Sequence, residues 1–265
     1  MDRFDLGYMD TLSSGNSPLH RLDAGAKVIA TFAFIIAVVS FDRYAVSALT
    51  PFFLYPVALC ALGNVPLVFI LRKVAAVLPF AVLIGIFNPF IDTGIMFQAG
   101  PLAVSGGWVS FISILMRFAL TVSAALLLVA VTGFYSVCAS LEKFGVPRVF
   151  VVQLLFVYRY LFVLADESQK MSRARLARSF TSSPPGLKVF APLVGQLLLR
   201  TLDRAERVYR AMACRGFDGT IYPAKKVVSG YAGVIFAAGW IILFVVFRFY
   251  NIPLLAGSAL TGVFR

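Results

Sequence analysis

The apolar positions of this chain gather into long runs set apart by short polar breaks. Val28 to Phe41 is the first run, just after Lys27. Ala45 to Leu62 is the second, ending at Gly63-Asn64-Val65-Pro66. Val74 to Phe87 follows Arg72-Lys73 and stops at Asn88-Pro89. Trp108 to Phe134 is interrupted once, by Arg117, and Val227 to Phe247 carries no charge at all. About 20 apolar residues at 1.5 Å rise cross a bilayer. The first and third runs fall short and must borrow flanking residues, which the snorkelling side chains Lys27, Arg72 and Lys73 allow. The pattern predicts five membrane spans.

Between the fourth and fifth runs the pattern changes. From Tyr135 to Lys226, apolar stretches alternate with charged ones, and Gly145-Val146-Pro147 and Ser182-Ser183-Pro184-Pro185-Gly186 cut the region into pieces. Three helices are predicted, over 136–144, 149–180 and 187–215. The two long ones are apolar in their first half and basic in their second, as suits a membrane boundary. An alternative makes Val149 to Ala165 a sixth span. The organisation expected is 1–134 for the N-terminal segment and spans 1–4, 135–226 for a coupling region, and 227–265 for the last span and tail.

Composition sharpens this picture. Of 265 residues 60% are hydrophobic and only 14% charged, with a mean hydropathy of +0.88. Soluble domains are less apolar and carry about a quarter charged residues, and 26 Phe exclude a disordered chain. The fold class expected is an all-α integral membrane protein. Residues 1–24 have no apolar core, so the first run is expected to be its own insertion signal. Of the net charge of +12, +9 falls within 135–226, while 88–107 hold no Lys or Arg. The positive-inside tendency puts the N-terminus and the basic region in the cytoplasm and the C-terminus outside.

Candidate chemistry is sparse. Cys60, Cys138 and Cys214 have no Cys-x-x-Cys spacing, and the only histidine is His20. No P-loop or dinucleotide motif occurs. No catalytic residue, metal ligand or cofactor is expected on this chain, and it is not expected to be an enzyme. His20 and Asp23, three apart, are expected to shape the start of the first helix rather than do chemistry. Arg117 is expensive in lipid. It keeps open the alternative of a self-sufficient channel or secondary transporter for a cation, against a role near the outer boundary or at a subunit interface.

The stronger signal is at two helix ends. Ala177-Arg178-Ser179 and Cys214-Arg215-Gly216 each place an arginine between small residues, and Phe180 or Phe217 follows. Gly216 suits a helix C-terminus, where a left-handed residue is common. Small neighbours also leave each guanidinium open to a second surface, and its planar fork suits carboxylates. Arg200, Arg204, Arg207 and Arg210 recur at helical spacing as a supporting basic face. Nucleic acid is not expected as a partner, since few aromatics alternate with these charges.

These residues resemble a known family. Ser17-Pro-Leu-His-Arg-Leu-Asp-Ala-Gly-Ala-Lys27, Ser140-Leu-Glu-Lys-Phe-Gly-Val-Pro147 with Tyr158-Arg159-Tyr160, and Ala205 to Met212 running into Cys214 to Gly219 are similar to stretches of the transmembrane (T) component of energy-coupling-factor transporters, in its cobalt-type branch. The usual Pro-Arg after the Asp is replaced by Ala24-Gly25. The resemblance implies a non-catalytic subunit of a multi-pass protein in the bacterial cytoplasmic (inner) membrane. It links two cytoplasmic ATPases (CbiO-like) to a metal-binding membrane subunit (CbiM-like, with or without a small CbiN-like subunit), in contact with membrane lipid. Its two coupling helices end in Ala-Arg-Gly-like triplets that insert into the ATPases. The triplets here match with Ser179 for Gly and Cys214 for Ala. The implied substrate is Co²⁺, with Ni²⁺ next.

Overall fold

The computed structural model describes residues 12–13, 15, 17–42, 44–91, 95–99, 102–178, 186–219 and 231–249. The chain forms two compact units, Met1–Ser140 with Lys226–Arg265, and Leu141–Lys225. The described elements of the first are α1 (Ala24–Val39), α2 (Val46–Leu49), a 3₁₀ turn (Thr50–Phe53), α3 (Leu54–Gly63), α4 (Leu67–Gly85), α5 (Asn88–Ile91), β1 (Ile95–Ala99), β2 (Leu102–Ser105), α6 (Gly106–Thr132) and α10 (Tyr231–Phe249). Helix α7 (Phe134–Lys143) carries the chain across the boundary, and α8 (Arg148–Arg178) and α9 (Leu187–Cys214) form the second unit.

The protein is an all-α membrane protein whose one described sheet is the antiparallel hairpin β1–β2. That hairpin falls where the sequence pattern promised only a loop. The run Ile95-Met96-Phe97, then Gly100-Pro101 before Leu102-Ala103-Val104, is the signal that marked it. The second apolar run also differs from a single rod. Pro51 cannot donate to a helical ladder, and the 3₁₀ turn at Thr50–Phe53 interrupts 46–63 there.

Large apolar side chains such as Phe32, Ile36, Val68, Phe80 and Ile235 stand exposed all round the first unit, the surface that lipid requires. Inside, α1 turns one face inward through Ala26, Ala30, Phe34 and Val38. Gly233 of α10 meets Asp23 and Ala26, a close approach of small residues that brings backbones together where water supplies no driving force. Beyond it lies an aromatic box. Phe34 stacks on Tyr55 with centroids 4.7 Å apart, Trp240 meets Tyr55 edge-on at 4.9 Å, and Phe244 meets Phe34 at 5.3 Å. The buried Tyr55 hydroxyl and Thr31 Oγ1 share a 2.7 Å hydrogen bond, so neither polar group is left bare.

Packing fixes the direction of each helix. At the end where α1 begins, a Cβ on Gly233 would lie 3.2 Å from Asp23 Cβ, and one on Gly63 would lie 2.9 Å from Val131. At the end where α1 finishes, Arg248 donates to the Ser40 carbonyl at 3.1 Å, and Asn88 donates to Ser110 at 3.2 Å. Helices α1 and α10 are therefore parallel, while 46–63, α4 and α6 alternate between them. By length and composition alone, five helices qualify as spans: 46–63, α4, α6, α8 and α10, with α1 shorter at 16 residues. The count of five matches the number that the sequence pattern predicts, but the set differs: α8 takes the place of the shorter α1.

Candidate functional site

Helices α8 and α9 are 31 and 28 residues long, about 46 and 42 Å at 1.5 Å per residue. They run antiparallel. Phe217, just past the end of α9, packs edge-on against Phe156 near the start of α8, with centroids 6.4 Å apart. Arg200 Nη1 reaches Glu167 on α8 at 2.7 Å. Helix α9 shows three faces. Leu193, Leu197, Thr201, Val208 and Met212 are half-buried, Leu187, Val194, Leu198, Leu202 and Tyr209 form an exposed apolar stripe, and Arg200, Arg204, Arg207 and Arg210 form an exposed basic one. Glu206 and Arg210, four apart on α9, form an ion pair at 3.1 Å. Such exposed pairs contribute little to stability. The basic face is thus partly engaged inside its own unit.

Arg178 is the last residue of α8 and is exposed, as is Ala177; Ser179 lies outside the described residues. The second triplet is fully described. Cys214 ends α9, Arg215 is the cap residue, and Gly216 follows at φ +74°. Gly216 N–H donates to the Ala213 carbonyl at 3.0 Å and Phe217 N–H to the Met212 carbonyl at 3.1 Å. This pair of bonds is the Schellman closure, and it needs a left-handed residue at the glycine position. It turns the chain sharply, so that Arg215 projects from the corner, and the Phe217–Phe156 contact pins the corner to α8.

The structure does not bring the two tips together. Phe156, beside the second tip, lies 22 residues before Arg178 in α8, about 33 Å along the helix. Two exposed guanidinium groups at opposite ends of a braced helix pair cannot share one small ligand. They suit two separate acceptors. Among the described residues no group of three or more His, Cys, Asp or Glu is placed to hold a metal ion.

The family model described as CbiQ, cobalt transport protein, matches residues 15–227. The chain belongs to the CbiQ family. It is a transmembrane component of an energy-coupling-factor transporter and a multi-pass membrane protein. Similar proteins include the energy-coupling factor transporter transmembrane protein EcfT of Leuconostoc gelidum subsp. gasicomitatum, 30% identical over 256 residues, with 88% of this chain and 94% of that protein covered. EcfT of Bacillus subtilis is 29% identical, with 77% of this chain and 82% of that protein covered. The cobalt transport protein CbiQ of Salmonella typhimurium is 31% identical over a shorter stretch, 38% of this chain and 45% of that protein.

Two further residues of this CbiQ-family chain find structural roles. Arg117 Nη2 donates to the Asp42 carbonyl, three residues past the end of α1, so the charge that raised the channel alternative is tied to the segment between α1 and α2. His20 Nε2–H donates to the Leu12 carbonyl at 3.0 Å, and its Nδ1 accepts from Ser17 Oγ at 2.6 Å. Burial holds the His20 pKa below its ordinary 6.5, against the raising effect of the Leu12 carbonyl and with help from Lys27. His20 is thus a clamp on the segment before α1, as expected. Its hydrogen-bond partners are Leu12 and Ser17 rather than Asp23. The three cysteines are free thiols, Cys60 and Cys138 buried and Cys214 exposed.

Proposed function

We propose that this chain is the non-catalytic coupling subunit of an ATP-driven importer of a divalent metal, Co²⁺ first and Ni²⁺ second. It docks one ATPase at Ala177-Arg178-Ser179 and another at Cys214-Arg215-Gly216, with the face of Arg200, Arg204, Arg207 and Arg210 in support. The observation that carries this reading is the pair of arginine tips at opposite ends of two braced helices. When ATP draws two ATPases together, tips held one by each are driven relative to one another, and rigid helices transmit the motion to the membrane face. The metal would bind a separate membrane subunit (CbiM-like, with or without a CbiN-like one). The exposed apolar stripe of α9 is a surface for that subunit or for the bilayer boundary. The ATPases are CbiO-like. The N-terminus and 135–226 lie in the cytoplasm, a reading supported by the parallel α1 and α10 and by the +9 charge between them. The name of the CbiQ relatives supports cobalt.

The test is binding of the detergent-solubilised full chain to its ATPase, comparing wild type with Arg178→Glu/Arg215→Glu, followed by ⁵⁷Co and ⁶³Ni uptake by the reassembled complex. Loss of binding and of uptake in the double variant supports the docking role. Equal binding by both proteins removes it, and uptake of neither metal by an assembled, ATP-hydrolysing complex removes the substrate assignment.

A further inference from the structure

Helix α7 is a 10-residue link between two left-handed glycines, Gly133 at φ +79° and Gly145 at φ +91°. The two joints differ in their surroundings. A Cβ on Gly145 would meet nothing within 4 Å, whereas one on Gly133 would lie 3.0 Å from Ser13 Oγ and 3.2 Å from Ser13 Cβ. Gly133 is also a narrow break. Its N–H still donates to the Val129 carbonyl at 2.9 Å and closes α6, while its own carbonyl accepts from Val137 N–H at 3.1 Å and opens α7. One left-handed residue separates two helices that ordinary helical angles would join.

The bend leaves a polar group unmet. Thr132, just before it, is buried, and its Oγ1 has no hydrogen-bond partner among the described residues. Thr121 and Ser140, on the same two helices, each donate to the carbonyl four residues earlier. Burying an unmet hydroxyl is unfavourable, so the bent junction depends on the contacts that hold it. Those contacts come from the segment before α1. Leu19 is buried beside Gly63, where Val131 of α6 also packs. His20 then ties the segment across a turn, donating to the Leu12 carbonyl and accepting from Ser17. Gly15 makes room for the ring, since a Cβ there would lie 3.2 Å from His20 Cε1. Fixing Leu12 fixes its neighbour Ser13 against Gly133.

We propose that Gly133 is a hinge and that Leu12, Ser13 and His20 are its latch. With the latch in place, α7 leaves α6 at a bend. With the latch withdrawn, α6 and α7 straighten into one helix, and the chain leaves α6 in a new direction. The unobstructed joint at Gly145 takes up the change at the far end of the link. The use of this device rests on the coupling role proposed above. Motion delivered to the arginine tips must be taken up somewhere, and α8 and α9, braced on one another, are too stiff to do it.

The experiment is a distance measurement by pulsed electron paramagnetic resonance on the full chain in detergent, with spin labels on cysteines placed at 112 and 144. Ile112 on α6 and Phe144 just past α7 are both exposed. Cys214 is the exposed native cysteine, and Cys214→Ala removes it. A straight helix would separate the two labelled positions by about 48 Å. Wild type is expected to give one narrow distribution well short of that distance. Ser13→Gly and His20→Ala are each expected to add a second population near it. Gly133→Ala penalises both the left-handed backbone and the contact with Ser13, and is expected to move the whole distribution toward it. A second pair of labels at 112 and 125, both exposed on α6 and about 20 Å apart, reports that α6 is intact in every variant. Ser13→Gly only removes atoms from a half-buried side chain and is the deciding variant. A wild-type distance near that of the straight helix, or an unchanged distribution in Ser13→Gly, overturns the proposal. No ATPase enters the measurement, so its failure leaves the coupling reading standing, and a failure of docking leaves the hinge standing.

Discussion

Replacing Gly216 by alanine separates the position of the second arginine tip from its charge. Gly216 sits at φ +74°, and a Cβ built on it meets nothing within 4 Å. No neighbour would be displaced, so the whole cost is that of the left-handed backbone, about 1–2 kcal/mol for a residue with a side chain. That cost falls on the two bonds from Gly216 and Phe217 to Ala213 and Met212, which close the α9 corner. If binding requires the closed corner, the apparent affinity for the ATPase drops by the same free energy, roughly 5- to 30-fold. Asparagine tolerates the left-handed region better, so Gly216→Asn should lose less. The assay is a titration of detergent-solubilised chain against immobilised ATPase, with circular dichroism to show that overall helix content is unchanged. Arg215 is present in all three proteins. If Gly216→Ala binds like wild type while Arg215→Ala does not, charge suffices and the argument from the corner's geometry is wrong.

Three other outcomes follow from the bundle. Tyr55→Phe should lower stability by about 1–2 kcal/mol, because Thr31 Oγ1 keeps its burial and loses its 2.7 Å partner; Thr31→Val/Tyr55→Phe should cost less than the two singles summed, measured as a cycle by thermal unfolding in detergent. Gly233→Leu should force the starts of α1 and α10 apart, since even a Cβ lies 3.2–3.3 Å from Asp23 and Ala26, and its melting temperature in detergent should fall below that of wild type. With His20 held below its ordinary pKa of 6.5 by burial, the neutral ring stabilises the fold above pH 6.5. That contribution should decline as pH falls below 6.5, because the unfolded chain then binds the extra proton. The melting temperature of wild type should drop between pH 7.5 and 5.5 by more than that of His20→Gln.

The long apolar runs made the spans legible, because a run such as Val227 to Phe247 admits few other readings in a chain of this composition. Gly216 was legible for the same kind of reason: glycine followed by Phe after a basic turn is a local signature. What the pattern could not carry was pairing across sequence distance. Arg117 is visible as a charge in an apolar run, but its acceptor is a backbone carbonyl 75 residues away, and backbone carbonyls leave no mark in a sequence. The parallel order of α1 and α10 rests on Gly233 meeting Ala26, two small residues among many. The separation of the two tips depends on how α8 and α9 cross, which Phe156 and Phe217 decide and their spacing does not announce. Conversely, Val149 to Ala165 offered a sixth span only as an alternative, and in the structure it lies within α8, long and apolar enough to count as a candidate span.

The aromatic box has a consequence for the order of synthesis. Phe34, Phe52 and Tyr55 come from the first part of the chain, and Trp240 and Phe244 come from the last helix. About 190 residues separate Val39 from Tyr231, roughly 10–40 s of translation at 5–20 residues per second. Through that interval the first helices stand in the bilayer with Tyr55 and Phe34 uncovered, while the arginine-tipped helices are already emerging from the ribosome. A nascent chain stalled before Tyr231 would therefore display both tips on an unfinished anchor. Such a species could capture ATPases unproductively, and the open aromatic cluster is the feature by which a membrane protease could tell it from the finished protein.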